Sequence, residues 1–201
     1  MKVIGICGPS CSGKSSIAKE LAKIISCNVI SNDHFYKLGS PKKYVEHEGK
    51  QIRTYERPEF YDGKAVAKII KDLKENKTAI IERLEHEGSK ELIKEEIKQK
   101  EYLIVEGFHI LNYEELLQEI ETSFFIQLSF EEIIKRRRER NIQRNNNGNK
   151  DEEFILIGEK EWEQYGQPQI KKAKHILDGN KPVSELAQEV LDRIKTKLLD
   201  N

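Results

Sequence analysis

The sequence predicts an α/β fold: three layers built on a mostly parallel five-stranded sheet with helices on both faces. Three observations carry this. Short continuous apolar runs recur along the 201 residues, as strands buried on both faces require. Segments with apolar residues at helical spacing lie between them, the alternation that produces parallel sheets. A stretch rich in glycine and serine, GICGPSCSGKSS at residues 5–16, separates the first such run from the first such helix.

The first strand is expected at Lys2-Val3-Ile4-Gly5-Ile6-Cys7. A helix follows, with Ile17, Ala18, Leu21, Ala22, Ile24 and Ile25 at helical spacing. Cys27-Asn28-Val29-Ile30-Ser31-Asn32-Asp33 reads as a second strand ending in an acid, and Tyr102-Leu103-Ile104-Val105-Glu106-Gly107 as a third that also delivers one. Phe124-Phe125-Ile126-Gln127-Leu128 is the fourth and Lys174-His175-Ile176-Leu177-Asp178 the fifth. Pro182 begins the last helix, with Leu186, Val190, Ile194 and Leu198 along one face. The highly charged run at residues 90–98 is expected to decorate a helix face. Two segments interrupt the plan. Residues 34–61 are too long for an ordinary connection and suggest a substrate-side insertion. Residues 136–167 combine the arginine-dense RRRER with the polar RNNNGNK and suggest a lid. No linker divides the chain, so residues 1–201 are read as one domain.

Composition narrows the function. Lys+Arg and Asp+Glu both number 35, so no general attraction to nucleic acid or to an anionic membrane is expected. No apolar run reaches membrane-spanning length, and the chain enters its first strand without a leader. Three cysteines, Cys7, Cys11 and Cys27, lack paired metal-ligand spacing, which fits a reduced, cytoplasmic chain. There is no G-x-G-x-x-G fingerprint, which disfavours hydride chemistry, and the histidines lack metal spacing.

Within the glycine-rich stretch, Gly8 to Ser15 fits G-x-x-x-x-G-K-[ST]. In that pattern backbone N–H groups and a helix N-terminus cradle phosphates, the lysine reaches the β- and γ-phosphates, and the hydroxyl holds Mg²⁺. The candidate nucleotide-binding residues are therefore Gly8, Ser10, Cys11, Ser12, Gly13, Lys14, Ser15 and Ser16, with Lys14 expected to face solvent and to act in catalysis. ATP is the expected donor, GTP its alternative. Glu106, at the end of an apolar strand, is a candidate second anchor for Mg²⁺. Asp33 is a candidate base or orienter for an acceptor hydroxyl and a further candidate metal ligand, while Asn32-Asp33 is also good turn chemistry. Arg136 and Arg140 share a helix face and could neutralise a migrating phosphoryl group, and Arg137 is placed with them at the nucleotide. A regulatory nucleotide-binding switch is the rival reading. The chain has no N-K-x-D guanine-reading motif.

These residues resemble the uridine kinase family of P-loop kinases, which is related to nicotinamide riboside kinases and phosphoribulokinase. The resemblance runs in order through GPSCSGKSS, SNDHFYK, TYERPEFYD, IVEGFHIL and RRRERN. It implies a P-loop three-layer sandwich that phosphorylates a small-molecule acceptor, most simply the 5′-hydroxyl of a uridine- or cytidine-like ribonucleoside, with nicotinamide riboside or another riboside or sugar as the alternative. It implies Asp33 as catalytic base, Tyr36 and Tyr55 near the acceptor, Asp62 on ribose hydroxyls, Glu106 at the metal, and Arg136, Arg137 and Arg140 in the lid, with Arg140 also reaching substrate. The chain departs from the family where a pyrimidine-contact segment is expected: residues 80–89 read IIERLEHEGS, without its proline, tyrosine and histidine register. Asn141 also stands where an aspartate commonly follows the lid arginine.

Overall fold

In the computed structural model, which describes residues 1–86, 89–143 and 150–199, the five expected strands form one parallel sheet. They are β1 (Lys2–Cys7), β2 (Cys27–Ser31), β7 (Tyr102–Gly107), β8 (Thr122–Gln127) and β9 (His175–Asp178), in the spatial order β2-β7-β1-β8-β9. Register is tight in the middle: Ile6 lies beside Glu106 and Cys7 beside Gly107, while Ser31 of β2 also faces Glu106. The loops leaving β1, β2 and β7 therefore emerge together at the carboxyl edge of the sheet, where open α/β sheets bind ligands.

Strand alternation divides the core into two layers. Ile4, Ile6, Ile104, Phe124 and Ile126 face Ile17 and Leu21 of α1 (Lys14–Ile24) and Leu186, Val190 and Ile194 of α6 (Val183–Leu199). Val3, Cys7, Leu103, Val105 and Phe125 face Val66, Ile70 and Leu73 of α2 (Gly63–Asn76) together with Trp162. The side chain of Leu198 lies outside the described set.

Two hairpins stand outside this sheet. β3 (Lys43–His47) and β4 (Lys50–Thr54) pair antiparallel within residues 34–61. Their two-residue turn places Glu48 at φ 48° and Gly49 at φ 77°, the left-handed pair that matches hairpin twist. β5 (Thr78–Leu84) pairs with β6 (Leu92–Lys98). The charged run at residues 90–98 is thus strand from Leu92 onward and not helix. Ile93, Glu95 and Ile97 fall on one face at period two, and pairing with the β-branched stretch of β5 overrides the helix preference of its lysines and glutamates.

The arginine segment is α4 (Phe130–Gln143), followed after residues 144–149, which lie outside the described set, by α5 (Lys150–Glu161) and a π-turn at Trp162–Gly166. The polar RNNNGNK stretch falls almost wholly in the undescribed part. Between β7 and β8 lies the short α3 (Glu114–Leu117).

A buried polar seam ties the β7 exit to this C-terminal region. Gln169 donates to the carbonyls of Phe108 and Tyr165 at 2.9 and 3.1 Å and accepts from Leu111 N–H and the Cys7 thiol. Burial pushes that thiol up to about 12, leaving it a donor. His109 is fully buried. Its Nε2–H donates to the Glu56 carbonyl at 2.9 Å, and its Nδ1 accepts from Asn112, whose amide also reaches the Tyr165 carbonyl. Both ring nitrogens are committed to the neutral form, and burial lowers the pKa to about 3 from an ordinary 6.5.

That depression has a signed consequence. Below pH 6.5 the unfolded chain takes up a proton that the folded one refuses, so stability is lost as pH falls from 6.5 toward 3. Between about pH 7.5 and 5.5 this group alone should cost about 1.4 kcal/mol. Urea unfolding at the two pH values should show the parent losing that much more than His109→Gln. Equal losses in both would mean that His109 is protonated in the fold without cost.

Candidate active site

The phosphate loop follows β1 directly. Gly8 has φ 155°, and a Cβ there would lie 2.9 Å from both the Ile126 carbonyl and Ser12 Oγ, so only glycine fits. Gly13, at φ 95°, opens α1, while Cys11 holds φ 63° without being glycine, a conformation that costs energy and marks a constrained loop. Gly8 and Ser12 shape the loop from behind. Ser10, Cys11, Gly13, Lys14, Ser15 and Ser16 line a cleft of about 440 Å³.

Lys14 is only 6% exposed, more deeply set than the sequence suggests, and its Nζ donates to the Pro9 carbonyl at 3.0 Å. The ammonium is therefore held inside the ring of the loop. Beside it Ser15 Oγ donates to Glu106 Oε1 at 3.1 Å. Glu106 is 2% exposed, and its other oxygen, Oε2, is buried without a partner among the described residues. A buried carboxylate oxygen left unpaired is costly, and next to a hydroxyl it forms a donor set suited to a hard cation such as Mg²⁺, which is commonly held by one or two protein oxygens and substrate phosphates. Among the described residues no group of three or more His, Cys, Asp or Glu forms an all-protein cage.

Asp33 lies in the 3₁₀ turn Asn32–Phe35 that leaves β2, and its Oδ1 accepts from Phe108 N–H at 3.4 Å. It borders the phosphate cleft and two further cavities. One, of about 550 Å³, is walled by Tyr36, Tyr55, Tyr61, Leu84, Phe154 and Ile157. The other, of about 740 Å³, opens between β2 and the β5–β6 hairpin and also touches Ser15 and Glu106. Asp33, Glu56 and Tyr61 are the residues common to the phosphate cleft and the aromatic cavity. Tyr36 meets Tyr61 edge to face at 5.5 Å, and Arg53 lies over the Tyr55 ring.

The three arginines separate. Arg136 and Arg140, four apart on α4, both line the phosphate cleft. Arg136 is held by Glu132 at 2.8 Å, and Arg140 Nε is buried without a partner among the described residues. Arg137, expected at the nucleotide, does not line that cleft. One residue along a helix turns the side chain by about 100°, and it lies in the wall of the aromatic cavity, bonded to Glu56 at 2.8 Å. Asp62 caps α2, its Oδ1 accepting from Ala65 N–H at 3.0 Å, and does not line the three cavities described. Sequence reasoning missed Glu56, Tyr61 and His109. The first two stand in the quoted TYERPEFYD, but nothing local distinguishes the glutamate that faces a site from its charged neighbours.

The chain is 31% identical over 143 residues to a uridine kinase of Psychromonas ingrahamii, covering 67% of this chain and 66% of that protein. It is 30% identical over 142 residues to nicotinamide riboside kinase 1 of Homo sapiens, covering 70% and 66%. The matched region thus spans just under two thirds of each relative. Among solved structures, one described as a possible uridine kinase from Bacillus stearothermophilus superposes with a TM-score of 0.57 at 19% identity, covering 88% of each chain. A shikimate kinase from Bacteroides thetaiotaomicron superposes at 0.58 and 13%, covering 96% of this chain and 98% of that one. At such identities they support the fold alone. The family model of the phosphoribulokinase and uridine kinase group matches residues 3–183. With the phosphate loop, the acid-tipped strands and the arginine helix in their places, this chain belongs to the Phosphoribulokinase / Uridine kinase family.

Proposed function

We propose that the protein is an ATP-dependent kinase that transfers the γ-phosphoryl group to a primary hydroxyl of a small molecule, the 5′-hydroxyl of a uridine- or cytidine-like ribonucleoside. The observation that carries this reading is the meeting of two cavities at Asp33: a phosphate cleft on one side and an aromatic-walled cavity on the other. A nucleotide switch needs only the first. Nicotinamide riboside is the second reading. It is favoured by the named relative and by a β5–β6 hairpin that lacks the pyrimidine-contact residues of the family.

The chain's groups divide the work. The loop amides and Lys14 hold the β- and γ-phosphates and lower the cost of charge shifting toward the leaving group. Ser15 and Glu106 would hold Mg²⁺, which, when bound, neutralises phosphate charge. Arg136, released from Glu132, and Arg140 close on the migrating group from α4. Asp33, oriented by Phe108 N–H, accepts the proton of the acceptor hydroxyl as the new P–O bond forms and the bond to the ADP leaving oxygen breaks. Tyr36, Tyr55 and Tyr61 supply flat walls on which a heterocyclic ring can stack. Asp62 spends one oxygen on its cap and lines none of the three cavities, so its grip on ribose hydroxyls requires the segment before α2 to shift toward the acceptor.

A panel of nucleosides, ribosides and sugar phosphates offered with Mg²⁺ and ATP tests the reading. Turnover should appear with a riboside and vanish in Lys14→Ala, whose loss of charge should cost at least about 10³ in rate. ATP hydrolysis stimulated by no acceptor in the panel would point instead to the switch. Asp33→Asn keeps the shape but cannot take the proton, so kcat should fall about 10² or more with acceptor KM little changed. A variant with nearly normal kcat would remove Asp33 from the chemistry. Asp62→Asn preserves the cap and should raise acceptor KM while narrowing the gap between ribo and 2′-deoxy acceptors. If that gap is the same in parent and variant, Asp62 is a helix cap and nothing more.

A further inference from the structure

Thr54 ends β4 and residues 55–57 beyond it have no regular structure of their own, yet this stretch is bonded to three other parts of the chain. Thr54 Oγ donates to Glu161 at 2.8 Å, and Arg57 Nε donates to the same carboxylate at 3.0 Å. Burial raises the Glu161 pKa, and the Thr54 and Arg57 bonds draw it back. Glu56 N–H reaches Thr54 Oγ at 3.3 Å, and the Glu56 carbonyl takes the His109 ring N–H. The last bond is of another kind: Glu56 Oε1 accepts from Arg137 at 2.8 Å, and the Arg137 guanidinium lies 3.8 Å from the centre of the Phe154 ring on α5. With both side chains mostly buried, at 16% and 21% exposure, the pair is less screened than a surface ion pair.

Glu56 is also an anion bordering a cleft built for phosphate, and it borders the aromatic cavity as well. Its partner comes from the same helix, one residue from Arg136 and three from Arg140, the two arginines aimed at the phosphates. A nucleotide that fixes α4 through Arg136 and Arg140 thereby fixes Arg137, and Arg137 holds Glu56. From this geometry we propose that the Glu56–Arg137 pair is a positioning contact that couples nucleotide binding to ordering of the acceptor-side loop at residues 54–61. The inference rests on the nucleotide reading above and adds to it that the acceptor cavity is completed when the donor is bound, with Glu56 as a positioning residue and not a group that reacts.

Amide hydrogen exchange tests this without knowledge of the acceptor, using Mg²⁺ with a non-hydrolysable ATP analogue as the probe. In the parent the analogue should slow exchange in peptides from the phosphate loop and, in the same titration, by about fivefold or more in peptides from residues 54–61. Glu56→Gln and Arg137→Gln should each keep the first effect and lose most of the second. The double variant should resemble either single one, because the two side chains act as one contact. Glu56→Asp should restore part of the slowing, which a purely structural loss would not do. No slowing at residues 54–61 in the parent, persistence of that slowing in both single variants, or additive effects in the double variant would each overturn the coupling. Absence of slowing at the phosphate loop itself would overturn the nucleotide reading, a result visible in different peptides. Thermal unfolding of each variant checks that it is folded, and loss of protection at residues 54–61 in the unliganded single variants, with the analogue's effect there intact, would overturn the coupling.

Discussion

Parallel strands that share a register end together, and the functional groups of this protein are arranged around the edge where β2, β7 and β1 do so. Glu106 lies beside Ile6 on one side and Ser31 on the other. The phosphate loop that leaves β1, the turn that carries Asp33 beyond β2, and the carboxylate near the end of β7 therefore converge without any loop needing to reach far. The Ser15–Glu106 hydrogen bond joins residues 91 apart in sequence, but Ser15 opens the helix that follows β1, the strand paired with the β7 of Glu106. Two apolar layers hold this register, and slipping one strand by a residue would exchange their faces.

Electrostatics then works locally against a chain of zero formal charge. Lys14, Lys19, Arg136 and Arg140 border one cleft, while Glu56 and Glu139 border it too. The acids are not simply opposed to an anionic ligand. Glu132 holds Arg136 and Glu56 holds Arg137, so the guanidinium groups are partnered before a phosphate arrives. Helix geometry decides which arginine goes where: residues four apart share the phosphate face, and the one adjacent turns toward the acceptor side.

The aromatic cavity is built differently. Its walls come from the β3–β4 hairpin, the turn after β2, the β5–β6 hairpin and α5, elements outside the central sheet. Loops and hairpins on a rigid scaffold are where specificity varies within a fold. That agrees with a family whose members are named for different acceptors. The polar seam of His109, Asn112 and Gln169 stiffens this side by satisfying backbone carbonyls that no sheet partner reaches. Neutral, fully bonded side chains serve this purpose at less desolvation cost than buried charges.

The sequence alone determined the parallel sheet, its five strands, the phosphate loop, and the acids at the ends of two strands. Each is a local signal: an apolar run, a helical period, or a loop whose φ angles only glycine adopts easily. It also placed Arg136 and Arg140 on one face, since a period of 3.6 residues is written in the order of the chain. Tertiary structure decided the rest. Residues 90–98 carry the composition of a solvated helix and became a strand because β5 lay alongside. Arg137 lines the aromatic cavity and not the phosphate cleft because Glu56, 81 residues away, was within reach on the other side of α4. His109 became a neutral donor because the Glu56 carbonyl, 53 residues away, came within 2.9 Å of its ring. In each case the outcome depended on a neighbour distant in sequence, and no local pattern encodes which of many chemically similar residues that neighbour will be.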